Sequence, residues 1–109
     1  MKIYISGPIS GLPLPQARAN FAAAAAAIKK NGHEPVNPCL LQEILDPETT
    51  SWEQYMKPAF ALLEICDAVY LLPGWRKSKG AVLEYAQAKS QYKHIFESLQ
   101  EIWQPAPEE

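Results

Sequence analysis

Glu84 is the residue in this chain best placed to do chemistry. It sits in residues 67–85, which read DAVYLLPGWRKSKGAVLEY. Residues 68–72 (AVYLL) form a short apolar run with β-branched and aromatic content, which predicts a buried strand. Residues 73–80 (PGWRKSKG) make a turn-rich, basic loop, and from Ala81 the pattern is helical. Glu84 therefore falls in or just after the first turn of that helix. In an open parallel α/β sheet, ligands sit where strands end and the following helices begin. Helical side chains lean toward the N-terminus, so this carboxylate looks into the mouth of such a pocket. The helix dipole favours its ionised form, while apolar walls oppose ionisation. An ionised Glu held against a sugar can act as a nucleophile, forming a glycosyl ester that water or another acceptor then attacks. A surface Glu paired with Arg76, Lys77 or Lys79 fits the same spacing.

Two more segments reach the same edge of the sheet. KIYIS at residues 2–6 predicts a first strand, followed by the turn GPISG, residues 7–11. Glycine lets backbone approach a ligand closely, and successive loop N–H groups can hold an anion. This loop is neither GxxxxGK[ST] nor GxGxxG. Tyr4 lies on the strand, within reach of the pocket floor. Asn37 ends a weak strand over residues 33–37, and before Pro38 it also suits an Asx turn. His33 and Asp67 belong to the opposite ends of their strands and read as capping or turn residues. No Ser/His/Asp set, Cys/His pair or metal-ligand cluster assembles at the edge, so no metal and no cofactor are expected.

The elements that must position these groups follow from pattern. Residues 15–31 predict a long helix, with Pro15 in its first turn, Ala17, Phe21, Ala24, Ala25 and Ile28 on one face, and Gly32 as the stop. Residues 39–50 form a long connection of the kind that often serves as a lid. Residues 50–54 (TSWEQ) are a capping-box signature, closed by Glu53 or Gln54. The helix they start meets Pro58, which should kink or restart it, and Phe60, Leu62, Leu63 and Ile65 are expected to face the core. Ser78 or Gly80 caps the helix carrying Glu84, whose buried face reads Ala81, Val82, Tyr85, Ala86 and Ala88, with Glu84 on its border. Residues 94–96 predict a last strand, Ser98 caps a short helix, and residues 104–109 read as a disordered tail. Strands and helices alternate four times. This predicts an α/β fold: one domain over residues 1–103 with a parallel sheet and right-handed crossovers.

The totals agree. A chain of 109 residues can hold one core, and 48% hydrophobic with 20% charged residues is ordinary for a globular protein. A net charge of -2 makes no case for a nucleic-acid polymer or a membrane as partner. The alanine run at residues 22–27 is too short to span a bilayer. Cys39 and Cys66 read as reduced thiols of a cytoplasmic protein, and no signal peptide is expected.

IYISGPISG at the start, GHEPVNP between, and CDAVYLLPGWRKSKGAVLE resemble the DUF4406 family, which is grouped with nucleoside 2-deoxyribosyltransferases and 2'-deoxynucleoside 5'-monophosphate N-glycosidases. The resemblance covers residues 2–96. It implies a small flavodoxin- or Rossmann-like three-layer fold with a four- to five-stranded parallel sheet. It also implies cleavage of an N-glycosidic bond through a glutamate nucleophile, with a small nucleoside or nucleotide as ligand and a homo-oligomeric assembly. Glu84 matches that nucleophile, and Tyr4 matches the tyrosine placed beside it. Ser78 and Gly80 match an S-x-G-x-x-x-E pattern whose serine holds ribose or 5'-phosphate, and Gly7 matches the ligand-loop glycine. The expected substrate contacts are Ser6, Gly7, Ile9, Ser10, Gly11, Asn37, Pro73, Gly74, Trp75, Ser78 and Gly80. The chain departs from the family enzymes twice. Ala59 stands where they carry an aspartate, and Ser10 where the monophosphate hydrolases carry an arginine. Ala59 favours an alternative, a non-catalytic nucleotide-binding or sensing module. A third reading makes Trp52 and Trp75 an exposed partner surface.

Overall fold

The computed structural model describes residues 1–103, so the predicted tail at 104–109 lies outside the described residues. Among the described residues, four strands, β1 (Lys2–Ser6), β2 (Glu34–Val36), β3 (Ala68–Leu71) and β4 (His94–Phe96), alternate with four α-helices, α1 (Leu14–Lys30), α2 (Trp52–Glu64), α3 (Lys79–Ser90) and α4 (Leu99–Trp103). All strand pairs are parallel, in the order β2-β1-β3-β4. The fold is thus α/β, with helices packed around a small parallel sheet. The chain leaves β1 for β2 on one side and reaches β3 on the other, so the loops after β1 and β3 diverge and open a crevice at the strands' C-terminal ends.

Strand alternation sorts the core into two layers. Ile3 and Ile5 of β1, with Ala68 and Tyr70 of β3, meet Phe21, Ala24 and Ile28 of α1 and Ile102 of α4. Tyr4 of β1, with Val69 and Leu71 of β3, meets Leu63 of α2 and Ala81 and Ala88 of α3. The alanine-rich faces of α1 and α3 let both helices lie close on the sheet. Among the described residues no helix is long and apolar enough to cross a membrane.

Three expectations about the helices change. Pro58 lies inside α2 without interrupting it. The reciprocal box between Ser51 and Gln54 fixes the helix start, and buried Met56, Ala59 and Leu63 anchor it on both sides of the proline. Ile65 is 61% exposed and Phe60 half-buried, so the buried stripe of α2 runs through Met56, Ala59 and Leu63 instead. On α3, Val82 and Ala86 face outward, and the stripe is Ala81, Glu84, Ala88. Glu84 is therefore central to the buried face, not on its border.

Candidate active site

Glu84 is the sixth residue of α3, about half a turn further in than a helix starting at Ala81 would place it. The helix starts at Lys79 because the Ser78 hydroxyl accepts the Ala81 N–H at 3.3 Å. At this depth the dipole has largely faded, and the neighbours decide the carboxyl's state. Residues two apart on β1 share a face, and here those residues are Tyr4 and Ser6. The Tyr4 hydroxyl donates to Glu84 Oε2, and the Ser6 hydroxyl donates to Oε1 at 2.8 Å. The surface ion pair with Arg76, Lys77 or Lys79 does not form: Glu84 is 6% exposed, and Tyr4 and Ser6 are fully buried.

Burial pushes the Glu84 carboxyl up to about 7, with the hydroxyls of Tyr4 and Ser6 pulling the other way. Apolar walls outweigh the donors that favour the anion, which leaves the group near half-ionised at neutral pH. Tyr4 is held well above the ordinary tyrosine range by burial and by the carboxylate beside it, so it keeps its proton and stays a donor. A carboxyl poised near neutrality in a cleft is a typical functional arrangement.

Glu84 and Tyr4 open onto a cavity of about 690 Å³ at the C-terminal edge of the sheet. Its β1 side is Gly7, Ile9 and Ser10, and its α3 side is Lys77, Ser78, Lys79 and Gly80. The opposite wall comes from Pro38, Gln42 and Leu45 and from Trp52, Tyr55 and Met56 at the start of α2. The Tyr55 hydroxyl donates to the Pro38 carbonyl at 2.9 Å, tying the long connection to α2. At the rim, Lys79 Nζ lies 4.4 Å from the centre of the Trp52 ring. The size and the mix of apolar wall with a few polar groups suit a small organic ligand.

The profile described as Domain of unknown function (DUF4406) matches residues 1–97. The chain belongs to this family. No curated protein matches the sequence. A solved structure described as 2-desoxiribosyltransferase from Leishmania mexicana superposes with a TM-score of 0.63 at 22% identity, over 86% of this chain. This DUF4406 chain spans 61% of that protein's length, and at such identity the likeness speaks to the fold.

The fold brings Tyr4, Gly7, Ile9, Ser10, Ser78, Gly80 and Glu84 together around the cavity, and Ser6 beneath it. Gly7 has a structural reason of its own: a Cβ there would stand 2.7 Å from Leu72 Cβ, so glycine lets the ends of β1 and β3 close up. The other predicted contacts lie elsewhere. Gly11 and Gly74 are exposed turn residues with positive φ of 88° and 83°, outside the lining, and Pro73 is exposed beside Gly74. Asn37 spends its side-chain oxygen on the Cys39 N–H at 3.0 Å, the Asx turn that its place before Pro38 allows. Trp75 turns the other way. It is buried, donates from Nε1 to Glu97 at 3.1 Å and packs on Tyr85 at 4.9 Å. Arg76 lies over its ring and reaches Glu97 at 3.5 Å. The exposed Trp52–Trp75 surface therefore does not exist, since Trp52 is half-buried in the cavity wall.

The α2 wall of the cavity was not among the expected contacts. Only the length of the 39–50 connection signalled it. Ala59, where a family aspartate was expected, is fully buried one turn past Tyr55, so Tyr55 is the polar α2 side chain nearest that place in the cavity lining.

Proposed function

We propose that the chain is an N-glycosidase or 2-deoxyribosyltransferase acting on a small nucleoside or nucleotide, with Glu84 as nucleophile. The observation that carries the reading is the buried carboxyl with a hydroxyl on each oxygen, facing a cavity of ligand size. In its ionised form Glu84 attacks C1' of the sugar. The N–C1' bond breaks, its electron pair leaves with the base, and the base takes a proton from water. Tyr4 and Ser6 hold the carboxylate through this step. Water or a free acceptor base, giving up a proton to solvent, then attacks C1', the ester C1'–O bond breaks, and Glu84 regains its carboxylate. Ser78 and the residue 7–10 loop hold the sugar, and Lys77 and Lys79 at the rim offer cations to a 5'-phosphate in place of the arginine that Ser10 replaces. Trp52 offers the base an aromatic wall. The strand order supports a shortened flavodoxin-type sheet, and exposed Ile44 (79%) and Leu40 (58%) beside the cavity support a homo-oligomer.

The test is chromatographic detection of free base from a panel of deoxynucleosides and deoxynucleoside 5'-monophosphates, with wild type and Glu84→Gln. The reading requires release by the wild type that disappears in the variant. Ala59 favours a second reading, a nucleotide-sensing module without catalysis. Ligand binding that survives Glu84→Gln, with no base released by either protein, would support it.

A further inference from the structure

Ser6 was expected to touch substrate, yet it does not line the cavity; its side chain is fully buried behind Glu84. Its backbone is fixed by β3, with Ser6 paired to Leu71 and its carbonyl accepting the Leu72 N–H at 2.8 Å. Its hydroxyl therefore has little freedom and points at Glu84 Oε1. Tyr4 meets the other oxygen from the same face of the same strand. Two donors spaced by one strand repeat, about 7 Å along β1, define the plane of the carboxyl group as well as its position. We propose that Ser6 is a positioning residue for the nucleophile: it orients the Glu84 carboxylate, stabilises its anion, and makes no contact with substrate. The proposal rests on the reading of Glu84 given above.

The chemistry gives this pair a division of labour. A carboxylate that attacks a sugar carbon turns one oxygen into the bridging atom of the ester and the other into its carbonyl. A donor on each oxygen stabilises the anion beforehand, and the donor on the non-bridging oxygen remains bonded through the ester. Without Ser6 the burial penalty on the anion would be opposed by Tyr4 alone. The other ionisable groups around the cavity are Tyr55 and Glu53 on α2, Lys77 in the loop before α3 and Lys79 at its start. The Ser6 and Tyr4 bonds act on Glu84 directly, while burial acts against both.

The experiment follows the Glu84 carboxyl by carbon-13 NMR titration in wild type, Ser6→Ala and Ser6→Cys, beside kcat/KM and KM against pH. In Ser6→Ala the Glu84 titration moves up by about one pH unit, as expected for one lost hydrogen bond to an anion. The acid limb of kcat/KM moves with it, KM stays put, and Ser6→Cys, a weaker donor, falls between. A Glu84 titration that stays at its wild-type position in folded Ser6→Ala would overturn the proposal. So would a rise in KM with the acid limb unmoved, which would make Ser6 a substrate contact. If Ser6→Ala does not fold, Ser6→Cys carries the same titration. The NMR arm needs no turnover, so a wild type that releases no base would remove the glycosidase reading while the Ser6–Glu84 coupling is still decided.

Discussion

The two faces of β1 begin from the same alternation and end in opposite roles. Toward α1, Ile3 and Ile5 meet Phe21, Ala24 and Ile28, and each is buried against other apolar side chains. Toward α3, Tyr4 and Ser6 meet Glu84, and a carboxyl is buried against two hydroxyls. The first face gains the full hydrophobic transfer of its side chains, about 1.5–3 kcal/mol for each large one. The second buries a group that opposes its own ionisation, and hydroxyls offset only part of that cost. Both faces belong to the core, but only the α3 face carries a buried carboxyl, the group that the proposed function makes the nucleophile.

The comparison can be broken in order of expected effect. Glu84→Gln keeps the shape of the polar face and turns one accepting oxygen into an NH2 donor, which one of the two hydroxyls can accept by reorienting, so it should still fold. Base release should fall by at least about a thousandfold, measured at saturating substrate. Ile5→Ala should do the reverse. It should cost about 2–5 kcal/mol in urea unfolding, through a cavity in the apolar layer, and leave the chemistry of the remaining folded protein intact. If Glu84→Gln unfolded the protein while Ile5→Ala did not, the assignment of roles to the two faces would be inverted.

The polar face also predicts how stability and activity respond to pH. Folding raises the Glu84 carboxyl from 4.5 to about 7. Between these values the folded chain binds a proton that the unfolded chain has lost, so stability falls as pH rises and levels off above about 7. Relative to Glu84→Gln, which removes this group and leaves the other carboxylates in place, the wild type should lose roughly 3 kcal/mol between pH 4.5 and 7.5. Activity should rise over the upper part of the same window, as the nucleophile ionises. Denaturant unfolding of both proteins at the two pH values checks the first statement, and a pH–rate profile the second. The smallest effect belongs to the positioning of the cavity wall. Ser51→Ala removes the cap that starts α2 and should cost about 1 kcal/mol in urea unfolding.

Local signals carried much of this into the sequence. The alternation of short apolar runs with helical patterns was enough for the α/β fold, and Ser78-x-Gly80-x-x-x-Glu84 is contained within one loop and its helix. What lay beyond reach depended on register between distant segments. Tyr4 and Glu84 are eighty positions apart, and only the family resemblance put them side by side; the second hydroxyl, from Ser6, was read as a substrate contact because it takes the pairing of β1 with β3 to set it under α3. The face of α3 was misjudged because Val82 is more apolar than Glu84, yet the sheet below offers hydroxyls at the carboxyl's place. Trp75 looked like a ligand contact by its motif, but its indole N–H finds Glu97 on the far side of the loop. The Trp52–Tyr55 wall is brought to the site by the path of residues 38–51, whose course the capping box at Ser51 does not specify.

The most direct test is to trap the covalent intermediate. Wild-type protein would be mixed with the substrate giving the fastest base release, quenched in acid within its first turnover, and mapped by peptide mass spectrometry. A deoxyribosyl mass increment on the peptide containing Glu84, absent in Glu84→Gln, is the predicted result. Base release accompanied by no increment on Glu84, or by an increment on another residue, would contradict the account.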